Sequence, residues 1–196
     1  MLITAVPRGG SDSSRPPRAN EQVWGFAAVS TRMLLANDGH TTPLLNAAAL
    51  APVRVVVSGL SAHAAGELDG RVREVLGLAA DRACLVRRSR LELPSGQVAS
   101  DNEVIAPMGV DARVDAVMRD EGALLGEGLV AAGVRLERRL LEVLVGVWPV
   151  DGTPCAGKSY LLCRDGAPLV YIRELYSPAL FPTAGHSAPV QTGGGR

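Results

Sequence analysis

Two stretches of this chain leave the backbone little choice. Ala83 to Leu93 reads ACLVRRSRLEL and Val98 to Ala106 reads VASDNEVIA, with Pro94-Ser95-Gly96 between them. Ser159 to Cys163 and Leu169 to Tyr176 are again strand-like and flank Arg164-Asp165-Gly166. Strand runs separated by a tight turn read as antiparallel hairpins, and an Asp-Gly pair supplies the positive φ angles that such a turn needs.

The remaining elements follow from the same pattern reading. Val53 to Ser58, VRVVVS, is a β-branched strand, and Arg135 to Trp148, rich in Leu and Val, is another. Val23 to Leu35 reads as a helix. Thr42-Pro43 opens a second one over LLNAAAL, with Thr as cap and Pro at the first helical position. Asp111 to Arg119 and Gly126 to Ala132 read as helices around a turn at Gly122, and Gly59 to Gly70 reads as a loop. Runs of strands with segregated helices predict an α+β fold. Its sheet is six-stranded and mostly antiparallel, its helices lie on one side, and a pocket between the two layers is the natural place for a small ligand.

Composition limits the organisation. The chain has 196 residues, 47% of them hydrophobic and 20% charged, which is enough for one domain with a real core. Residues 1–20 are rich in Pro, Ser, Gly and Arg and read as a disordered, dispensable leader. Residues 21–182 read as the domain and residues 183–196, ending in TGGGR, as a flexible tail. Lys+Arg and Asp+Glu are 20 each, so the expected partners include no nucleic acid. No apolar run approaches the ~18 residues of a membrane span, and the short apolar start lacks a cleavage pattern. The expectation is a cytoplasmic protein without membrane contact, as a monomer or small homo-oligomer. Cys84, Cys155 and Cys163 lack CxxC spacing, and His40, His63 and His186 lie far apart. Inert thiols, no metal and no cofactor follow as expectations.

One motif invites a different reading. Gly152 to Ser159, GTPCAGKS, matches the GxxxxGK[ST] phosphate loop. That chemistry needs a helix after the loop, because the helix N-terminus supplies the phosphate donors. Only about six residues separate Ser159 from the Asp165-Gly166 turn, under two helical turns at ~3.6 residues each. The segment is therefore expected to be a turn between antiparallel strands, with Lys158, the only lysine, at the start of a strand.

Four charged positions stand out in the strands. Arg88 and Arg90 share a face because side chains alternate, and Arg87 points the other way. Glu174 shares its face with Val170 and Ile172, the pattern of a carboxylate looking into an apolar interior. An inward arginine is costly unless it is paired with a carboxylate or an anionic ligand.

The segments LVRRSRLELPSGQVASDNEVIAP, ALLGEGL and YLLCRDGAPLVYIRELYSPALFP, preceded by RMLLANDGHTTPLL, occur in an order that resembles the chorismate lyase (chorismate–pyruvate lyase) family over Arg32 to Pro182. The resemblance implies a six-stranded antiparallel sheet with an internal pocket closed by helical flaps. It implies a cofactor-independent lyase that converts chorismate to 4-hydroxybenzoate and pyruvate in aromatic biosynthesis. Carried over by position, Arg88 grips a substrate carboxylate and Glu174 holds the ring hydroxyl, as the catalytic pair. Leu125 and Thr41 join them in binding substrate. Gly157-Lys158-Ser159 stands where family members often carry arginines, so a different chorismate derivative, giving another hydroxy- or aminobenzoate, is one alternative. The other is a non-catalytic small-molecule sensor, since the fold also forms the ligand-binding half of transcription regulators. Those carry a DNA-binding domain of about sixty residues. Only about twenty residues precede the body here, so the enzyme is the expectation.

Overall fold

The computed structural model of the chain describes residues 22–183. The expected leader, and the tail beyond Thr183, lie outside the described residues. Six strands, β1 (Arg54–Ala64), β2 (Ala83–Glu92), β3 (Val98–Pro107), β4 (Glu137–Val147), β5 (Pro154–Arg164) and β6 (Ala167–Tyr176), form one sheet. Its order is β1-β2-β3-β6-β5-β4. Every neighbouring pair is antiparallel. The β2–β3 and β5–β6 hairpins are those the turn residues predict. Asp165 and Gly166 both take positive φ, 51° and 79°, so the Asp-Gly pair has the backbone of a two-residue hairpin turn.

Five helices are described: α1 (Val29–Ala36), α2 (Thr42–Ala49), α3 (Gly70–Leu76), α4 (Ala112–Arg119) and α5 (Leu125–Ala131). On the inner face of the sheet, Leu34, Leu35 and Leu45 from α1 and α2 pack with Leu91, Ala99, Val143, Ala156 and Tyr176. Val114, Val117, Met118 and Leu129 from α4 and α5 pack with Leu85, Val104, Tyr160, Leu162, Val170 and Ile172. The short α3 lies on the opposite face, where Val72 and Leu76 meet Val86, Ile105, Leu161 and Cys163. Each strand therefore divides its side chains between two different environments.

Three local expectations change. The helix expected over Val23 to Leu35 is interrupted: Gln22 and Val23 are helical, Gly25 and Phe26 close a turn onto them with Phe26 buried, and α1 begins only at Val29. The loop expected from Gly59 to Gly70 is the second half of β1 followed by a 3-10 turn over Ala65–Glu67. A register shift between Val57 and Gly59 masks the strand's continuity in the sequence. α3 was expected as no element at all. Its signals are local: Asp69 caps the Arg71 and Val72 amides, and Gly77 ends the helix at φ 65°.

GTPCAGKS is resolved in favour of a strand. β5 starts at Pro154 and runs through Ser159 without a helix, so no helix N-terminus is available to phosphate. Lys158 sits inside the strand rather than at its start. The three cysteines are free and buried.

Candidate functional site

The helices do not seal the inner face completely. A cavity of about 60 Å³ remains between the sheet and the segments around Thr41 and Leu125. Strand alternation chooses its walls. β2 contributes Arg87, Ser89 and Leu91, β3 Asn102 and Val104, β4 Arg138, β5 Tyr160 and Leu162, and β6 Ile172 and Glu174. A second cleft of about 480 Å³ adjoins it and shares His40, Gly126, Arg138 and Leu162. The partition is thin: a Cβ at Gly126 would lie 2.5 Å from His40 Nδ1.

Glu174 is held by hydroxyls. Tyr160 donates to Oε1 at 3.1 Å, and Thr41 (3.1 Å) and Tyr176 donate to Oε2. Burial, reinforced by the Glu174 charge, pushes both phenols well above their ordinary pKa, so they stay protonated donors. Lys158 is 2% exposed and projects to the same side. Its Nζ donates to the carbonyls of Leu34 (3.0 Å) and Asn37 (2.9 Å), tying β5 to the end of α1. Burial lowers the Lys158 pKa, and Glu174 partly restores it. The Tyr160 ring has Arg138 at 5.4 Å and Lys158 at 5.8 Å from its centroid, both within cation–π range.

Arg87 differs from these. It is 1% exposed, and its Nη atoms donate to the Val117 (3.3 Å) and Ala123 (2.8 Å) carbonyls. Among the described residues no carboxylate forms an ion pair with it, and its Nε has no partner. Burial lowers its pKa, against the weaker pull of Asp120 and Glu121. A buried guanidinium donor left unpaired costs about 1–3 kcal/mol or more.

The sequence-predicted residues fall into two groups. Glu174, Thr41 and Leu125 line the cavity together. Arg88 does not. It lies on the outer face with its side chain 62% exposed, paired with Glu103 at 3.1 Å. The orientations expected for Arg87 and Arg88 are reversed, and Arg88 with Glu174 does not form a catalytic pair. A signal for the correct phase exists in β2. One alternate set is Leu85, Arg87, Ser89 and Leu91, and the other includes Arg88, Arg90 and Glu92; the more charged set faces solvent. Arg138, Asn102, Tyr160 and His40 were not singled out. Each comes from a different element, and only the fold brings them together.

No protein-family model matches the sequence, and no curated protein matches it. Solved structures do. PhnF from Mycobacterium smegmatis superposes with a TM-score of 0.56 at 15% identity, over 74% of this chain and 66% of that one. The chain thus spans about two thirds of whole PhnF. It covers 91% of the separately solved PhnF effector domain, at TM-score 0.56 and 15% identity over 73% of this chain. The C-terminal domain of the histidine utilization repressor from Pseudomonas syringae pv. tomato gives 0.52 at 12% identity, over 74% of this chain and 97% of that one.

These neighbours are an effector domain and a repressor domain, not lyases. They overturn the expectation of a chorismate lyase, and with it the assignment as an enzyme and the product 4-hydroxybenzoate. The order of motifs that resembles the lyase family carries the fold, and the fold is also that of the PhnF effector domain.

Proposed function

We propose that this domain is a non-catalytic small-molecule-binding module, a sensor in the manner of effector domains. The observation that carries this reading is Arg87: a buried cation with no carboxylate partner among the described residues, in the wall of a cavity between sheet and helices. A structural arginine in a core is normally paired, whereas a binding arginine keeps capacity for a ligand. Supporting it, the cavity has the mixed lining of a ligand site, with aliphatic side chains around a few convergent polar groups.

The test is thermal unfolding of the whole chain against a panel of small metabolites. A ligand at a hundred times its Kd stabilises by about 2.7 kcal/mol. At least one compound should raise the midpoint saturably, and Leu125→Trp, which enlarges a side chain that lines the cavity, should abolish the rise. Incubation with chorismate should release no aromatic product above a protein-free control. Release of product at a rate lost in Glu174→Gln, or a panel with no binder, would overturn the reading.

A further inference from the structure

Three buried side-chain polar atoms among the described residues have no hydrogen-bond partner: Arg87 Nε, Arg138 Nε and Asn102 Oδ1. They come from β2, β4 and β3, and no pair of them is close in sequence. All three residues line the same cavity of about 60 Å³. Unpartnered buried groups are few in folded proteins, so their gathering around one small space is informative.

Their chemistry specifies a complement. Both Nε atoms are obligatory donors and call for acceptors. Asn102 Nδ2 is engaged by donation to Ser100 Oγ at 3.1 Å, while Oδ1 is buried without a partner, an acceptor that calls for a donor. Glu174 supplies no further acceptor capacity of note, since three hydroxyls already occupy it. Charge points the same way. Of the charged side chains lining the cavity, Arg87 and Arg138 are cations and Glu174 is the carboxylate, so the lining itself is net positive. Lys158 lies nearby, 5.8 Å from the Tyr160 ring centroid, and Asp120 and Glu121 act on Arg87 from outside the lining. Size sets the scale. A cavity of about 60 Å³ holds roughly four to six waters at ~10–15 Å³ each, so only a compact head group fits inside. Anything larger continues into the adjoining cleft past His40 and Gly126.

We infer that the ligand is a compact dianion carrying one hydrogen-bond donor, held by Arg87 and Arg138 with its donor on Asn102. A short hydroxydicarboxylate and a hydrogen phosphate share this chemistry. The inference rests on the sensor reading and specifies its ligand class.

The experiment uses the whole chain and four probes at constant ionic strength near pH 7.5: tartronate, inorganic phosphate, acetate and glycerol. One of the first two should raise the unfolding midpoint saturably, and which one does so separates carboxylate from phosphate recognition. Acetate and glycerol should have no effect at tenfold higher concentration. Arg87→Met and Arg138→Met should each weaken the response tenfold or more, and Asn102→Asp should abolish it by placing a negative charge on the donor site. Arg88→Met, on the outer face, should leave it intact. Arg138 is half-exposed, so its variant remains informative if loss of Arg87 impairs folding. A dianion response that survives in both arginine variants overturns the inference. Saturable binding of a neutral or cationic panel compound, abolished by Leu125→Trp and without any dianion effect, overturns it while leaving the sensor reading standing. No binding by probe or panel overturns both.

Discussion

Arg87 and Arg88 are neighbours in one strand and live in different solvents. Arg88 meets Glu103 across the outer face, exposed to water, one of several cross-strand charge pairs there that include Arg90 with Asp101. Arg87 is enclosed on the inner face and has backbone carbonyls instead of a carboxylate. The outer pairs are screened and worth little, while an inner charge carries the full consequence of its surroundings. What separates the faces is what covers them. The inner face has α1, α2, α4 and α5, and the outer face has the short α3 alone among the described helices. Charge on the outer face is tolerated, and charge on the inner face needs a reason.

The sharpest way to break this contrast is Lys158→Met. Methionine fills the volume but removes the ammonium donor from the Asn37 carbonyl, leaves the Leu34 carbonyl with the Asn37 amide alone, and leaves Glu174 without its neighbouring ammonium. The expected loss is about 2–4 kcal/mol in urea unfolding. A loss below about 0.5 kcal/mol, the size of an ordinary surface change, would show that burial does not separate the two faces energetically.

Asp111 provides a rim case in which a carboxylate is fully paired. Its side chain accepts from Arg113 and Arg164, and it caps α4 through the Arg113 amide. Those hydrogen bonds, Arg113 first and then Arg164, hold its carboxyl well below the ordinary carboxylate range. A depressed folded pKa stabilises the fold above the unfolded value, about 3.9. That contribution fades as pH falls below it toward the folded value. Asp111→Asn should therefore lower stability at neutral pH and flatten the fall in stability below about pH 4. An unchanged acid limb in urea titrations would mean that Asp111 is not the group responsible.

Gly126→Ala tests the partition between the two cavities. Alanine favours the helix by roughly 1 kcal/mol over glycine, but its Cβ would force the His40 ring aside. Stability should change by less than about 1 kcal/mol while the ligand response shifts. Equal affinity in the variant would show that His40 does not bound the site. The smallest effect belongs to Arg88→Met, expected within about 0.5 kcal/mol of the parent. A larger loss would mean that the outer ladder is more than a screened surface.

Much of the fold was legible because its signals are local. The Asp165-Gly166 turn, the Pro94-Ser95-Gly96 turn and the alternation in β2, β3 and β6 each lie within a dozen residues. α3 was legible too, in the Asp69 cap and the Gly77 stop, but no element was expected between Gly70 and Ala83. β1 was cut short because the irregularity at Ser58 interrupts its period. At the site, Glu174 was legible from the aliphatic residues that share its face. Arg87 was not, because alternation says that Arg87 and Arg88 differ without saying which one faces inward.

By itself the sequence determined that this chain builds hairpins, which residues share a strand face, and that a GK-containing loop before Tyr160 leads into no helix. Those are consequences of backbone sterics and side-chain alternation over a few residues. Only the tertiary structure decided which face the helices cover. That choice buries Arg87, exposes Arg88, and gathers Arg138, Asn102, Tyr160 and Glu174 from four strands around one cavity. The cost or use of a charge depends on how much water the rest of the chain removes from around it, and that is settled by packing between segments distant in sequence.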